Sequence, residues 1–393
     1  MVRRPARASQ RDVARLVILR LAGSLLRRPR PRVSVPESPK VLLIRPDHLG
    51  DLVLSTPAVE LLRRGLPGAH LTMMVGPWSA EVARRDPMLD EVLVCPFPGF
   101  TREPKGSSLA PYDLLWRWSR NVRRGRYDAA LLLRFDHWWG AWLAALAGIP
   151  VRIGHAVPEC RPFLTHALRP PDGLHWVERS LEAARRLLAV AGVDPEGDGS
   201  LIGLRFGILQ EDRESAERLL SQLDLEMDQP LVAIHPGAGA PIKIWPEDRW
   251  IELGWSLAAR GARLLVTGSA LERPMAERIA AALPNGRALA GKTDLGTLAA
   301  VFQRCALVVG TDNGPLHVAV AVGVPTVHLF GPTDPAVFGP WGDPAAHRVV
   351  SAPWVEPCGR LDLPKPEARY APCMEAISAE RVVAECMGLL SSR

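Results

Sequence analysis

The stretch Val41-Leu42-Leu43-Ile44-Arg45-Pro46-Asp47-His48-Leu49-Gly50-Asp51 decides the fold class of this chain. Its first four residues form an apolar run with no polar alternation. That pattern suits a strand buried on both faces of a parallel sheet. A helical pattern follows over about residues 49–64. Strand, tight turn and helix together are the opening unit of a doubly wound α/β fold. Gly50 permits a close backbone approach in the connection. Asp47 and Asp51 lie where a carboxylate either caps the helix or faces the crevice to do chemistry.

Working outward, the same alternation repeats. Strands are expected at 71–75, 91–94, 128–133 and 151–154, with helices at 79–85, 138–147 and 174–190. Residues 95–112, rich in Pro, Gly and Ser, read as a long irregular loop, and such loops are often functional. A second series has strands at 231–234, 263–267, 306–309 and 326–329. Its helices are expected at 247–260, 272–283, 295–304 and 315–322, with a closing amphipathic helix at 378–390. The chain therefore divides into a basic tail and Pro-rich linker (1–39), a first Rossmann-like domain (40–205), a second (226–376) and a C-terminal helix (377–393). In such sheets ligands bind beyond the carboxyl ends of the strands, so the motifs there carry the functional reading.

His235-Pro236-Gly237-Ala238-Gly239-Ala240-Pro241-Ile242-Lys243-Ile244-Trp245-Pro246 begins like a dinucleotide fingerprint. Ile242 breaks the third glycine position and the prolines delay the helix, so an NAD site is disfavoured. A glycine-rich turn feeding a helix still binds anions. Lys243, one of only five lysines, would add a full charge there or is a plain surface lysine. In Thr267-Gly268-Ser269-Ala270-Leu271-Glu272, Gly268 ends a strand. Glu272 either accepts bonds from a ribose or is a first-turn acid favoured by the helix dipole. Gly310-Thr311-Asp312-Asn313-Gly314-Pro315-Leu316-His317 reads as a turn into a helix with proline at its first position. There Asp312 or Asn313 caps, and His317 faces the crevice or packs. Trp138, Trp139 and Trp142 beside His137 fit a core cluster better than a sugar platform.

Charge excludes one class. The 393 residues carry a formal net charge of +6. Residues 1–35 hold ten arginines and one aspartate, so the other 358 residues hold 38 basic and 41 acidic side chains, a net of −3. A nucleic-acid binder would need its basic residues on the folded body. The tail's apolar stretch 16–26 is interrupted by Arg20 and followed by Arg-Arg-Pro-Arg-Pro-Arg, which fits no signal peptide. It reads as a basic segment resting on anionic lipid, or as a frayed helix. Six scattered cysteines without C-x-x-C make a metal site improbable and are too sparse for a disulfide scaffold.

Together these segments resemble glycosyltransferase family 9, the heptosyltransferases of lipopolysaccharide assembly. The resemblance runs from about residue 40 to 390, strongest in the stretch that opens at Val41 and in the Gly310–His317 block. It implies a GT-B fold: two Rossmann-like doubly wound domains facing a central cleft, the first binding the acceptor and the second the nucleotide sugar. It implies inverting, metal-independent transfer, most readily of heptose from ADP-heptose onto a lipopolysaccharide-core or related glycan, with no cofactor. It assigns Asp51 as general base. The donor-binding set is Gly237, Lys243, Gly268, Glu272, Thr311, Asp312, Asn313, Gly314 and His317. Asn313 departs from the family's usual Thr and could shift donor choice. A lipid-linked acceptor implies a cytoplasmic enzyme, with peripheral inner-membrane contact through the tail. Another nucleotide sugar serving capsule or exopolysaccharide synthesis, or a non-catalytic sugar-nucleotide-binding protein, are the alternatives.

Overall fold

The computed structural model describes residues 10–26, 35–100, 107, 109–194, 202–223, 229–352 and 370–391. The chain forms two compact units, Met1–His48 with Pro57–Ile202, and Leu49–Thr56 with Gly203–Arg393. The short segment Leu49–Thr56 is thus contributed by the N-terminal half of the sequence to the second unit.

The first unit's strands are β1 (Lys40–Arg45), β2 (His70–Val75), β3 (Glu91–Val94), β4 (Ala129–Leu132), β5 (Val151–His155) and β6 (His166–Leu168), in the spatial order β3-β2-β1-β4-β5-β6. Their helices are α1 (Gln10–Leu25), α3 (Thr56–Gly65), α4 (Ala80–Arg84), α5 (Ala110–Gly125), α6 (Trp138–Leu146) and α7 (Trp176–Ala191), with α2 (Leu49–Val53) belonging to the second unit. The second unit continues with α8 (Gln210–Ser221), β7 (Leu231–His235), α9 (Glu247–Ala258), β8 (Arg263–Val266), α10 (Arg273–Ala281), β9 (Arg287–Ala288), α11 (Leu295–Gln303), β10 (Leu307–Thr311) and α12 (Gly314–Ala321). It closes with β11 (Thr326–Phe330), α13 (Pro335–Phe338), β12 (His347–Ser351), α14 (Pro372–Glu375) and α15 (Ala379–Ser391), and its strand order is β12-β11-β10-β7-β8-β9.

Every strand pairs in parallel. Counted within its unit, each sheet has the order 3-2-1-4-5-6 of a Rossmann fold. The chain winds outward in both directions from the first strand, so a crevice opens between the first and fourth strands at their carboxyl ends. In the first unit those ends are Arg45 and Leu132; in the second they are His235 and Thr311.

Burial explains the elements. Val41, Leu42, Leu43 and Ile44 are fully buried, as a central strand covered on both faces requires. In the second unit Trp245 and Trp250 meet edge to face at 4.7 Å inside a core that also takes Val382, Cys386 and Leu389 of α15. The closing helix is therefore part of that unit's core.

The structure differs from the sequence expectation in several places. The helix expected over 49–64 is two helices, because Pro57 has no N–H to donate and its ring clashes with a preceding carbonyl. Residues 110–112, expected within a loop, start α5; residues 101–106 and 108 lie outside the described residues. The strand at 326–330 is not the last, since β12 pairs beyond it. Cys373 is disulfide-bonded, which the sparse cysteines gave no reason to expect. Cys95, Cys160, Cys305 and Cys386 are free and buried. No helix among the described residues is long and apolar enough to cross a membrane.

Candidate functional site

In the second unit the carboxyl ends of β7, β8 and β10 gather the residues singled out from the sequence. His235 ends β7, and its Nδ1 lies 2.9 Å from Thr267 Oγ1. Burial pushes His235 down to about 4, although Glu272 pulls the other way, so this ring is neutral and holds the floor of the site.

The loop after β7 is fixed through the carbonyl of Gly237. Thr311 Oγ1 donates to it at 2.6 Å and Asn313 Nδ2 at 2.8 Å. Asn313 Oδ1 accepts the Leu316 N–H at 3.1 Å and so caps α12. Both ends of the Asn313 amide are therefore occupied inside the protein. A threonine there would have to make both contacts through one hydroxyl, where asparagine uses separate donor and acceptor groups. Thr311 is fully buried and supports the same loop from beneath.

Gly237 also explains the carboxylate beside it. A Cβ at Gly237 would stand 1.9 Å from Glu272 Oε1, so any other residue there would displace the carboxylate from its place beside the loop. The other oxygen, Glu272 Oε2, accepts the Ser269 N–H at 2.7 Å in a capping box. Gly268 sits directly behind: its Cβ would lie 3.3 Å from Glu272 Cβ.

Lys243 ends the 3₁₀ turn Pro241–Lys243. Its Nζ lies 2.7 Å from Asp312 Oδ2, and Thr333 Oγ1 donates to the same oxygen at 2.6 Å. Lys243 is 16% exposed and Asp312 8%, so the pair is largely shielded but open on one side. The ammonium is thus aimed by Asp312.

Asp51 lies on α2, which packs against α12 within the second unit. A Cβ at Gly50 would stand 2.9 Å from Gly314 Cα and 3.3 Å from the His317 ring. A Cβ at Gly314 would in turn meet Leu49 Cδ2 at 2.5 Å and Gly50 N at 3.0 Å. Two glycines thus allow the backbones of α2 and α12 to touch. Asp51, one residue on, is half-buried in the first turn of α2. His317 is buried in α12. Behind it lies a chain that the sequence reading did not pick out. The His328 ring is 5.9 Å from His317, His328 Nε2 is 2.9 Å from Thr326 Oγ1, and that hydroxyl is 2.9 Å from His347 Nδ1. Burial, with the charges of His317 and His347, drives His328 well below the usual histidine range. The alternation of polar residues in an otherwise apolar strand was the only sequence signal for it.

The first unit has its own polar cluster at the ends of β1 and β4. Asp47 is buried between Arg45, whose Nε is 3.0 Å from Asp47 Oδ2, and Arg134, which donates to Oδ1. Arg45 also donates to the Leu133 carbonyl across the switch point. Arg134 donates to Asp136 at 2.6 Å. Burial opposes the charge of Arg134, but Asp47 and Asp136 outweigh it and keep it firmly protonated. Trp78 Nε1 donates to the carbonyls of Pro46 and Asp47 at 3.0 and 2.9 Å, clamping the turn that leads to Asp51. Asp47 is thus a structural acid. Arg134 and Asp136 were missed because their value depends on β4 lying beside β1, which no local pattern states. Trp139 is buried and donates to the Pro111 carbonyl at 2.9 Å, and Trp142 stacks on Phe163 at 5.5 Å. The tryptophan cluster is core. Arg152 is buried and donates to the Phe163 carbonyl at 2.6 Å.

A family model described as "Glycosyltransferase family 9 (heptosyltransferase)" matches residues 115–362. The "Lipopolysaccharide heptosyltransferase 2" of Escherichia coli (strain K12) is 28% identical over 307 residues, 75% of this chain and 84% of the relative. Among solved structures, a glycosyl transferase family 9 protein from Veillonella parvula DSM 2008 superposes with a TM-score of 0.74 at 24% identity, covering 92% of this chain and 100% of the other. The E. coli ADP-heptose lps heptosyltransferase II superposes with a TM-score of 0.69 at 24% identity, covering 90% and 99%. Two Rossmann-like doubly wound units with these neighbours constitute the GT-B fold class.

Proposed function

Because the chain belongs to glycosyltransferase family 9, the heptosyltransferases, we propose that it moves heptose from ADP-heptose onto a lipopolysaccharide-core acceptor with inversion at the anomeric carbon. The observation that carries this reading is the Gly50–Gly314 contact, which brings Asp51 and the start of α12 together in one unit. A base for the acceptor and a cradle for the donor then belong to one constellation. The heptosyl donor and core acceptor are supported by the names of relatives such as the "Lipopolysaccharide heptosyltransferase 1" of Pseudomonas aeruginosa, 28% identical over 337 residues.

In the proposed reaction an acceptor hydroxyl attacks the anomeric carbon on the face opposite the diphosphate. Its proton passes to Asp51 as general base. The new C–O bond forms as the bond from the anomeric carbon to the phosphate oxygen breaks, and ADP leaves as an anion. That leaving group needs no proton if its charge is stabilised. Lys243, His317 and the amides of residues 237–239 supply that stabilisation. Asp312 holds Lys243 in place, and Glu272 takes the ribose. Divalent metal is not required in this reading. Among the described residues no group of three or more His, Cys, Asp or Glu is placed to hold one. The first unit takes the acceptor at the ends of β1 and β4, where Arg45, Arg134 and Arg179 outnumber Asp47 and Asp136.

The test is nucleotide release from a panel of ADP-, GDP- and UDP-sugars. ADP-heptose is expected to turn over fastest, with the others at background. Faster release from a UDP- or GDP-sugar would move the enzyme to another glycan, and no release from any would favour a binding protein.

A further inference from the structure

The helix α1 shows two apolar faces. Leu19 is fully buried in the first unit's core, Ala22 and Leu26 pack against that core, and Gly23 lies against Pro162. This face fastens α1 to the 3₁₀ turn Arg161–Phe163. Val17, Ile18, Leu21 and Leu25 do not share it. They are 50%, 50%, 61% and 86% exposed. At about 100° per residue these four fall within an arc of about 100° on the outside of the helix.

The stripe is not isolated. Phe163 of the 3₁₀ turn stacks on Trp142, and Trp142 meets Tyr112 of α5 at 6.1 Å. Leu19, Leu115, Trp139 and Phe163 belong to one core cluster, so α1, α5 and α6 cover the same face of the sheet. Leu109, which caps α5, and Tyr112 and Trp116 on it are exposed as well. The Arg120 guanidinium lies 3.4 Å above the Trp116 ring. The rest of the exposed side of α5 carries Arg117, Arg123 and Arg124 against a single acid, Asp113. In sequence α1 is flanked by Arg3, Arg4 and Arg7 before it and by Arg27, Arg28, Arg30 and Arg32 after it.

We propose that the outer surface of α1 and α5 is a docking face for an anionic lipid bilayer. Exposed leucine, isoleucine, tryptophan and tyrosine on one surface suit the boundary between headgroups and acyl chains. The excess of arginine on α5, and in the sequence that flanks α1, complements an anionic leaflet, whereas a protein partner of mixed charge would not need so one-sided a charge. The helix lies on the unit instead of projecting from it, so its outer stripe enters the interface parallel to the membrane. The proposal stands on exposed side chains and charge, independently of the sugar chemistry.

The full chain is to be co-sedimented with phosphatidylcholine vesicles, with and without phosphatidylglycerol. Binding is expected only with phosphatidylglycerol, and salt is expected to weaken it. Leu21→Glu/Leu25→Glu is expected to lower partitioning by about tenfold or more with an unchanged circular dichroism spectrum. Leu21→Ser/Leu25→Ser serves the same purpose if the acidic variant misfolds, and Trp116→Glu is expected to weaken binding further. Wild-type partitioning by both leucine variants would overturn the proposal. So would a wild-type dimer, measured by light scattering, that these variants convert to monomer with no lipid binding in either form.

Discussion

Asp51→Asn is expected to lower kcat by about 10²–10⁴-fold while leaving donor affinity almost unchanged. The substitution keeps size and shape, so α2 keeps its seat on α12 through Gly50 and Gly314. What it removes is the capacity to accept a proton from the attacking hydroxyl. In the proposed reading the donor is held elsewhere, by Lys243 and the ends of α12 and the Gly237 loop, so binding of ADP is expected to persist. Isothermal titration with ADP beside steady-state kinetics separates the two effects. Unchanged kcat in this variant removes Asp51 from the role of base. Loss of ADP binding in parallel with kcat makes it a donor-site residue instead.

Lys243→Met is expected to reduce kcat/KM by about 10²–10³-fold, the usual loss when one preorganised donor to a developing anion is removed. Its structural cost has to be separated from its chemical one. Without Lys243, Asp312 keeps only the Thr333 bond at the oxygen they share, and a mostly buried carboxylate left short of a partner costs about 1–3 kcal/mol. Adding Asp312→Asn to Lys243→Met is therefore expected to recover thermal stability without recovering activity. A double-mutant cycle on both readouts measures this directly. If activity returns together with stability in the double variant, Lys243 is a structural cation and the diphosphate is bound by other groups.

The fold was legible where burial on both faces leaves an unbroken apolar run. Val41–Ile44 and Leu231–Ile234 are of this kind, and both became central strands. It was illegible at the edges. β6 has three residues, and both β6 and β12 are part-exposed, so neither apolar run nor clean alternation marks them. The helix α5 was missed although its buried residues Leu115, Ser119 and Val122 recur at helical spacing. Half of the residues of α8 are charged, and it covers its sheet with few apolar side chains.

Much of the site was legible as motifs and little of it as geometry. Gly237, Glu272, Asn313 and His317 each follow a strand end, which a doubly wound fold makes functional by position. That Gly237 makes room for Glu272, and that Asn313 grips Gly237, depends on loops far apart in sequence. The pairing of Lys243 with Asp312 spans 69 residues. Asp51 belongs to the second unit through a glycine pair, and a glycine's value lies in the neighbour it admits. The tail read as a basic segment resting on anionic lipid or as a frayed helix; its helix carries two apolar faces, one of them docked.

The anomeric configuration of the product tests the central claim most directly. Purified enzyme, ADP-heptose of defined anomeric form and a heptose-free core acceptor are to be incubated with a metal chelator, and the new linkage assigned by NMR. A heptosyl product of opposite anomeric configuration, formed undiminished under chelation, is the predicted result. Retained configuration, or transfer abolished by the chelator and restored by a divalent cation, would contradict the account.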